Sequence, residues 1–255
     1  MTRWTALVLA GSRPGRDEFA QSHGTDLKAL IPVAGEPMVR RPVRALLAAP
    51  EIGAVQVLAQ QPERIAAVLP PDPRLTVLPS RATIAETLLA ICADPATVWP
   101  LLVTTADHAL LNPAMIAEFC TRAGGTDVAI GVVERAVLAQ RLPQSQRTWV
   151  RFRGGAYSGA NLFILRSPGV VAALEQWRAV EQDRKKALAL LWALGPSLFL
   201  GAALRLRTLA DTLHRISHKL HVAVHAVELS DGLAAVDVDK PADHDLVEAI
   251  LAGRA

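Results

Sequence analysis

Short apolar segments alternate with amphipathic segments along the first half of the chain, and no other feature limits the fold as strongly. The predicted strands cover residues 6–10, 54–59, 75–78 and 99–105. The predicted helices between them cover residues 39–49, 62–69 and 84–93. Strands that alternate with helices form right-handed βαβ units. We therefore expect an α/β fold with a mostly parallel sheet and helices on both faces.

The same alternation continues to the end of the chain. A helix is predicted from Pro113 to Ala123, and a C-terminal helix from Pro241 to Leu251. Both have proline in the first turn, where its missing N–H costs nothing. Further strands are predicted at residues 128–133, 149–153 and 162–165, with a polar helix and loop at 134–146. We expect one domain over residues 1–255, with a helical insertion at about 168–221.

Composition excludes several classes of protein. The 255 residues are 51% hydrophobic and 20% charged with a net charge of +3, which fits one packed domain. Only 4% are aromatic and the arginines are scattered, so a nucleic-acid groove is not expected. Cys92 and Cys120 form no metal or disulfide pattern, and no signal peptide is visible at the start. These features predict a cytoplasmic protein.

The loop after the first apolar run is a candidate phosphate site. Gly11 follows the predicted strand directly, so backbone N–H groups can approach a phosphate without a Cβ in the way. Arg13, Arg16 and Lys28 supply positive charge from the same stretch. The loop matches neither the dinucleotide fingerprint nor the P-loop, and an ordinary surface loop is the alternative.

Other strand ends carry further candidates, because ligands of open α/β sheets gather at the carboxyl edge. Ser80 and Thr83 follow the third strand, and either could meet a nucleotide or simply cap the next helix. Asp107 follows the fourth strand and is placed to bind Mg²⁺, with helix capping as the alternative. His108 beside it is a weak ligand signal.

Two later stretches complete the candidate site. Asp237 and Asp239 occupy alternate positions of a predicted strand, so one of them completes a metal site if that strand lies beside Asp107. Otherwise they are exposed edge carboxylates. The stretch 154–161 contains three glycines and is predicted to be a loop. It either wraps a polar acceptor or forms a plain hairpin turn.

Five segments in this order resemble the MobA-like nucleotidyltransferases. They read LVLAGSRPG, KALIPVAGEPM, TTADHALL, YSGAN and DVDKPADHDL. The resemblance implies a three-layer α/β/α Rossmann-like fold of the glycosyltransferase A type. It also implies transfer of a nucleoside monophosphate from an NTP, with CTP or GTP favoured, to a phosphorylated small-molecule acceptor. Pyrophosphate is released and Mg²⁺ is the implied cofactor.

Residue by residue, the resemblance assigns roles to the candidates. Lys28 and either Arg13 or Arg16 match the family's catalytic phosphate-binding cations, with Arg13 preferred. Asp107 and Asp239 match its metal aspartates, with Asp237 as a neighbour. The implied nucleotide-binding residues are Leu9, Ala10, Gly11, Ser12, Ser80 and Thr83. The implied acceptor-binding residues are Tyr157, Ser158 and Asn161.

The sequence departs from the family pattern at three places. The usual glycine-rich loop has one glycine at its turn, Gly11, and a longer connection. Leu27 stands where proline is usual before the lysine, and Lys240 replaces the threonine before Pro241. Metal binding is expected to survive these changes, whereas the choice of nucleotide is open. A glycosyltransferase of the same fold and a noncatalytic nucleotide-binding protein are the alternatives.

An uncharged apolar run lies at residues 187–204, with basic residues at 184–186 and at Arg205 and Arg207. Its length of about 18 residues is at the lower limit for a membrane span. Gly195 and Pro196 interrupt it, which favours buried or dimer-facing helices. A helical pair on a membrane surface, contacting it through residues 184–221, is the second hypothesis.

Overall fold

The computed structural model describes residues 3–12, 15, 17–145, 147–181 and 207–254. The strands are β1 (Trp4–Leu9), β2 (Pro32–Val33), β3 (Glu36–Pro37), β4 (Ile52–Ala59), β5 (Leu75–Pro79), β6 (Leu101–Thr105), β7 (Val128–Glu134), β8 (Val150–Phe152), β9 (Gly155–Leu165) and β10 (Val224–Glu228). The helices are α1 (Glu18–Ser22), α2 (Arg40–Ala48), α3 (Pro62–Ala66), α4 (Ile84–Ala93), α5 (Pro113–Arg122), α6 (Arg135–Ala139), α7 (Val171–Glu181), α8 (Leu209–Leu220) and α9 (Pro241–Leu251). Short 3₁₀ turns occur at Lys28–Leu30, Pro168–Val170 and Gly232–Ala235.

The main sheet is mostly parallel, as predicted. Its order is β10-β7-β9-β6-β1-β4-β5, and β8 pairs with β9. β1 lies at the centre of the parallel part, between β4 and β6. β9 runs antiparallel to β6, β7 and β8. The carboxyl ends of β1 and β6 therefore meet at one edge, and the start of β9 reaches the same edge.

Side chains of the sheet belong to two hydrophobic cores, one on each face of the sheet. In β1, Ala6 and Val8 join the first core, and Leu7 joins the second. Alternate positions of a strand point to opposite faces, so a central strand must be apolar throughout. The first core includes Leu46 of α2, Phe119 of α5 and Val247 of α9. The second includes Leu88 of α4 and Leu174 of α7. This arrangement gives the predicted three layers.

The predicted loop at 154–161 is wrong. Gly155–Leu165 forms the single strand β9, and the chain reverses at Arg153 and Gly154, where Gly154 has a φ of 98°. Backbone bonds to β7 and β8 on either side hold this stretch extended despite its small polar residues. Of the two alternatives for residues 154–161, the hairpin turn agrees better with this backbone than the loop that wraps an acceptor.

The predicted strand carrying Asp237 and Asp239 is also wrong. A 3₁₀ turn covers Gly232–Ala235, and the following residues are extended without a sheet partner. The N–H of Val238 instead donates to the carbonyl of Asp107 at 3.1 Å. The sequence analysis also missed the β2–β3 hairpin and β10.

An irregular stretch of β9 lies next to the carboxyl edge. Between the pairs Ile130–Phe163 and Val132–Gly159, β7 has one residue and β9 has three. Asn161 adopts a left-handed conformation with a φ of 47° at this point. Opposite it, a Cβ on Gly131 would lie 3.0 Å from the Cβ of Leu162, so glycine accommodates the irregularity. Bulges of this kind redirect side chains beside functional sites.

Within the ranges that the structure describes, no helix is long and apolar enough to cross a membrane. The apolar run at 187–204 and its neighbours 184–186 and Arg205 lie outside those ranges.

Gly232 provides a test of the packing beneath the site. A Cβ there would lie 2.7 Å from the Cα of Leu138 and 3.0 Å from the carbonyl oxygen of Val137, so backbone must move. We expect Gly232→Ala to lower the free energy of unfolding by about 1–3 kcal/mol, as overpacking does. Urea titration measures the loss. Gly125→Ala is the matched control because no heavy atom lies within 4 Å of its added Cβ. Equal stability of the two variants would contradict the packing argument.

Candidate active site

Three charged side chains meet at the carboxyl edge of the sheet. The Nζ of Lys28 lies 2.6 Å from Oδ2 of Asp107 and 2.5 Å from Oδ1 of Asp239. Lys28 belongs to the first 3₁₀ turn, Asp107 to the turn after β6, and Asp239 to the segment before α9. The three residues that the sequence analysis placed at the centre of the site are thus brought together by the fold.

Backbone and side-chain bonds hold Asp107 in this position. The hydroxyl of Thr105 donates to Oδ1 of Asp107 at 2.5 Å. The N–H of Ala106 donates to the carbonyl of Leu9 at the end of β1. With the bond from Val238, these contacts join β1, β6 and the segment carrying Asp239. The backbone around Asp107 is therefore held by two neighbouring segments, and Thr105 orients its carboxylate.

Lys28 remains a cation in this setting. Its side chain is 21% exposed. Burial acts to lower the pKa of the ammonium, but the charges of Asp107 and Asp239 and their hydrogen bonds outweigh that effect and raise it. One ammonium therefore neutralises part of the charge of two carboxylates.

The same two carboxylates fit a divalent cation. Lys28 already shows that one positive group can contact an oxygen of each at the same time. Asp239 is 65% exposed, which leaves room for water and substrate oxygens. Among the described residues no group of three or more His, Cys, Asp or Glu side chains is arranged as a metal site. Two carboxylates with water and phosphate oxygens suit Mg²⁺ in particular.

Asp237 has other partners. Its carboxylate lies 2.6 Å from a guanidinium nitrogen of Arg147, and Nδ2 of Asn161 donates to its Oδ2 at 3.0 Å. The side chain of Arg147 is only 15% exposed. Burial acts to lower the pKa of this guanidinium, and Asp237 together with Asp243 and Asp239 raises it overall. No contact joins Asp237 to Lys28 in the described structure, and its assignment as a metal ligand stays a prediction.

His108 lies between the two charged groups and is buried. Its Nδ1 lies 3.3 Å from Oγ1 of Thr104. Burial lowers the pKa of His108 to about 4, with Asp237 opposing and Arg147 reinforcing that shift. The imidazole is therefore neutral near pH 7 and acts as packing rather than as a charged ligand.

The loop after β1 is held by a side chain that sequence reasoning missed. Gln60, directly after β4, accepts from the N–H of Ser12 at 2.7 Å and donates to its carbonyl at 2.9 Å. Leu9, Ala10, Gly11 and Ser12 thus leave β1 at the same edge as Asp107. Their predicted contact with nucleotide is untested, and Arg13 and Arg16 lie outside the described residues.

Ser80 and Thr83 lie further along that edge, after β5. The hydroxyl of Thr83 accepts from the N–H of Glu86 at 3.1 Å and caps α4. The capping alternative therefore holds for Thr83. The N–H of Ser80 donates to the carbonyl of Ala59 and fixes the loop to β4. Nucleotide binding by the two hydroxyls stays a prediction.

The three predicted acceptor-binding residues all lie in β9 but have different surroundings. Asn161 reaches Asp237, as described above. Ser158 is buried. Burial raises the pKa of the Tyr157 hydroxyl, and Glu228 and Glu134 raise it further. Tyr157 therefore faces the ends of β7 and β10 rather than Lys28. Acceptor binding by all three stays a prediction.

A hairpin anchors the segment that carries Lys28. β2 and β3 are joined by Ala34 and Gly35, which have φ values of 51° and 78°. The carboxylate of Glu248 in α9 accepts from the N–H of Ala34 at 2.6 Å. Nε2 of His244, also in α9, lies 2.7 Å from the carbonyl oxygen of Pro32. The C-terminal helix thus fixes the hairpin next to Lys28.

Gln60 could have been predicted from its place at the carboxyl end of a strand, because Gln60 follows β4 as Asp107 follows β6. Arg147 lies in irregular backbone, and Glu248 lies two residues beyond the last motif. Neither position carries a local signal.

A three-layer α/β fold with a lysine and two carboxylates at the carboxyl edge of its sheet is an arrangement that suits the binding of phosphate groups and their metal ion. The model of the MobA-like NTP transferase domain matches residues 6–196. The chain belongs to this family and is a nucleotidyltransferase. No curated protein matches it.

Solved structures agree with this assignment. A structure described as a hypothetical transferase from Thermus thermophilus is 30% identical, with a TM-score of 0.82, over 95% of this chain and 100% of that one. The 4-diphosphocytidyl-2C-methyl-D-erythritol synthase of Anaerococcus prevotii is 10% identical over 98% and 96%, with a TM-score of 0.63. A CMP:2-keto-3-deoxy-manno-octonic acid synthetase complexed with CTP is 12% identical over 99% and 100%, with a TM-score of 0.60. The last two share the fold.

The low pKa of His108 predicts a pH-dependent stability. In the unfolded chain histidine has a pKa of about 6.5, so it takes up a proton between about pH 6.5 and pH 4 while native His108 does not. The free energy of unfolding must therefore fall as the pH falls through this window, by about 2 kcal/mol between pH 7 and pH 5 from this group alone. Urea titrations at the two pH values should show a smaller loss for His108→Gln than for wild type. The exposed His225→Gln is the control and should keep the wild-type loss; equal losses in all three proteins would contradict the prediction.

Removing the Glu248 carboxylate should release the hairpin. We expect Glu248→Ala to raise the rate of amide hydrogen exchange at Ala34 about tenfold, because the N–H loses an acceptor worth about 1 kcal/mol or more. Exchange followed by NMR measures this rate. Glu63→Ala, an exposed glutamate of α3, is the control. Unchanged exchange at Ala34 would show that the contact does not hold the hairpin.

Proposed function

We propose that the protein transfers a nucleoside monophosphate from an NTP to a phosphorylated small-molecule acceptor and releases pyrophosphate. The observation that carries this proposal is the meeting of Lys28 with Asp107 and Asp239 beside the loop at Gly11. Nucleotidyl transfer needs positioning and charge neutralisation more than covalent chemistry by side chains. These three residues supply both at the edge of the sheet where nucleotides bind.

The bond changes in this reaction are simple. An oxygen of the acceptor phosphate attacks the α-phosphorus of the NTP. The bond from that phosphorus to the oxygen bridging to the β-phosphate breaks, and pyrophosphate leaves with the electron pair. The acceptor phosphate is already an anion, so no side chain has to remove a proton first. The chain therefore needs cations on the phosphates and no strong general base.

The described residues divide this work between them. Lys28, with Arg13 or Arg16, is proposed to bind the triphosphate oxygens as charge builds on the leaving group. Asp107 and Asp239, with Asp237 as a further candidate, are proposed to hold Mg²⁺. When bound, that ion supplies charge neutralisation to the phosphates. The bond from Thr105 keeps one oxygen of Asp107 occupied and the other directed at Lys28.

The nucleotide is proposed to lie along the carboxyl edge from β1 to β5. Leu9 to Ser12 lie at one end of this path and Ser80 and Thr83 at the other. CTP and GTP are the favoured nucleotides. CTP gains support from the similarly folded synthetase whose structure was determined with CTP.

The acceptor is proposed to approach from the β9 side. There Asn161 and Arg147 share the carboxylate of Asp237, two residues before Asp239 in the chain. Both side chains are hydrogen-bond donors, and a phosphorylated acceptor offers oxygens to match. Tyr157 and Ser158 would contact the part of the acceptor further from its phosphate.

Pyrophosphate release tests the proposal. Each of the four NTPs is combined with Mg²⁺ and a panel of sugar-phosphate, polyol-phosphate and molybdopterin-type acceptors, and the nucleotidylated product is identified by mass spectrometry. We expect release only with an acceptor and with CTP or GTP. Asp107→Asn should lower the rate at least about 100-fold, the scale seen when a charge-stabilising group is lost.

Asp94→Asn is the matched control for Asp107→Asn. Asp94 is exposed and accepts a local backbone bond from Ala96, which asparagine can also accept. It should keep the wild-type rate. Acceptor-independent hydrolysis of the NTP, or full activity of Asp107→Asn, would overturn the proposal.

A further inference from the structure

Lys28 occupies the point where a divalent cation would have to sit. Its Nζ lies within 2.6 Å of an oxygen of Asp107 and of an oxygen of Asp239 at the same time. A bound Mg²⁺ approaches carboxylate oxygens to about 2.0–2.1 Å. A metal ion bridging these same two oxygens would lie close to the ammonium, and the two cations would compete for the same lone pairs and repel each other. Metal binding between the two carboxylates therefore favours movement of Lys28 away from them.

Charge leads to the same conclusion. Asp107 and Asp239 together carry two negative charges, and Lys28 contributes one positive charge at their meeting point. A divalent cation would neutralise the pair fully, but next to the ammonium it would meet a like charge in a partly buried site, where such repulsion is strong. The ammonium thus lowers the affinity of the carboxylates for a free metal ion.

We propose that Lys28 is an internal counter-ion that keeps the divalent metal out of the site until a triphosphate is present. The inference rests on the metal role of Asp107 and Asp239 under the proposed function. A triphosphate offers Lys28 new anionic partners, so the ammonium transfers from the carboxylates to phosphate oxygens as the metal enters. Free metal accordingly binds weakly while Lys28 is paired with the two carboxylates.

The surrounding structure allows the side chain to move while its backbone stays fixed. The N–H of Ile31 donates to the carbonyl of Lys28, and the N–H of Leu30 donates to that of Leu27, which closes the 3₁₀ turn. The hairpin that follows is held by α9. Lysine places its ammonium on a flexible four-carbon stem, so rotation of the stem suffices for the transfer. No backbone rearrangement is needed.

Linkage makes the coupling reciprocal. If phosphate draws Lys28 away and so raises the affinity for metal, metal must raise the affinity for phosphate by the same factor. Removing the ammonium removes the competing cation, while the hydroxyl of Thr105 still binds the other oxygen of Asp107. The proposal therefore predicts that replacing Lys28 with a neutral residue raises the affinity for metal, whereas replacing a lysine far from the site does not.

The test is binding of Mn²⁺ alone, without nucleotide, followed by the electron paramagnetic resonance signal of the free ion. We expect Lys28→Met to bind Mn²⁺ at least about tenfold more tightly than wild type. Lys28→Arg keeps a cation and should not gain affinity. Lys219→Met, which removes an exposed lysine of α8, is the matched control and should behave as wild type. Adding Asp107→Asn to Lys28→Met should abolish the gain.

Equal or weaker Mn²⁺ binding by folded Lys28→Met would overturn the proposal, as would a gain that persists with Asp107→Asn. A measurement on wild type covers the case in which Lys28→Met does not fold. Calorimetry gives the Mg²⁺ affinity, and NMR of the lysine ammonium groups follows Lys28. The Lys28 resonance should shift with Mg²⁺ in the concentration range of binding, while that of Lys219 should not. Mg²⁺ binding without such a shift would also overturn the proposal.

These results are independent of the activity assay. A gain in Mn²⁺ affinity without pyrophosphate release from any tested pair of substrates would support the role of Lys28 and count against the proposed reaction. Pyrophosphate release that depends on Asp107, without a gain in Lys28→Met, would do the reverse.

Discussion

Parallel pairing of β1 with β4 and β6 is the constraint on which the rest of the structure depends. Parallel strands end at the same edge, so the Gly11 loop, Gln60 and Asp107 leave the sheet side by side. The bond from Ala106 to Leu9 continues this pairing past the strand ends. Segments far apart in sequence thereby come within hydrogen-bonding distance, and a site forms from short loops on a rigid base.

The sequence contained enough information to predict this framework because its signals are local. A run of apolar residues that ends in glycine or aspartate marks both a buried strand and its carboxyl end, which is how Gly11 and Asp107 were selected. Lys28 was selected as a cation of the loop after the first strand, and the family resemblance joined it with Asp107 and Asp239. The first part of β9 was missed because Gly155, Ser158 and Gly159 have weak strand preference, and their conformation is set by backbone pairing with β7 and β8. The second part was predicted as the strand at 162–165. The contact of Arg147 with Asp237 depends on tertiary structure alone.

The charged side chains of the site form two ion-paired groups. Lys28 contacts Asp107 and Asp239, whereas Arg147 contacts Asp237 and interacts with Asp239 only through its charge. Only the buried Val238 separates Asp237 from Asp239 in the chain, and neutral His108 is buried beside both groups. Each group combines acidic and basic side chains from different segments of the chain. The positive and negative charges of the site therefore cancel in part. This division suits a reaction that places two phosphorylated molecules next to each other.

The attachment of the Lys28 hairpin to α9 affects the order in which the protein can mature. Asp239 is synthesised 211 residues after Lys28, and Glu248 is synthesised 214 residues after Ala34 of the hairpin. On the ribosome β1, β4 and β5 can pair long before these residues emerge. The candidate site therefore assembles after these strands, and a nascent chain can hold paired strands while Lys28 still lacks its contact with Asp239.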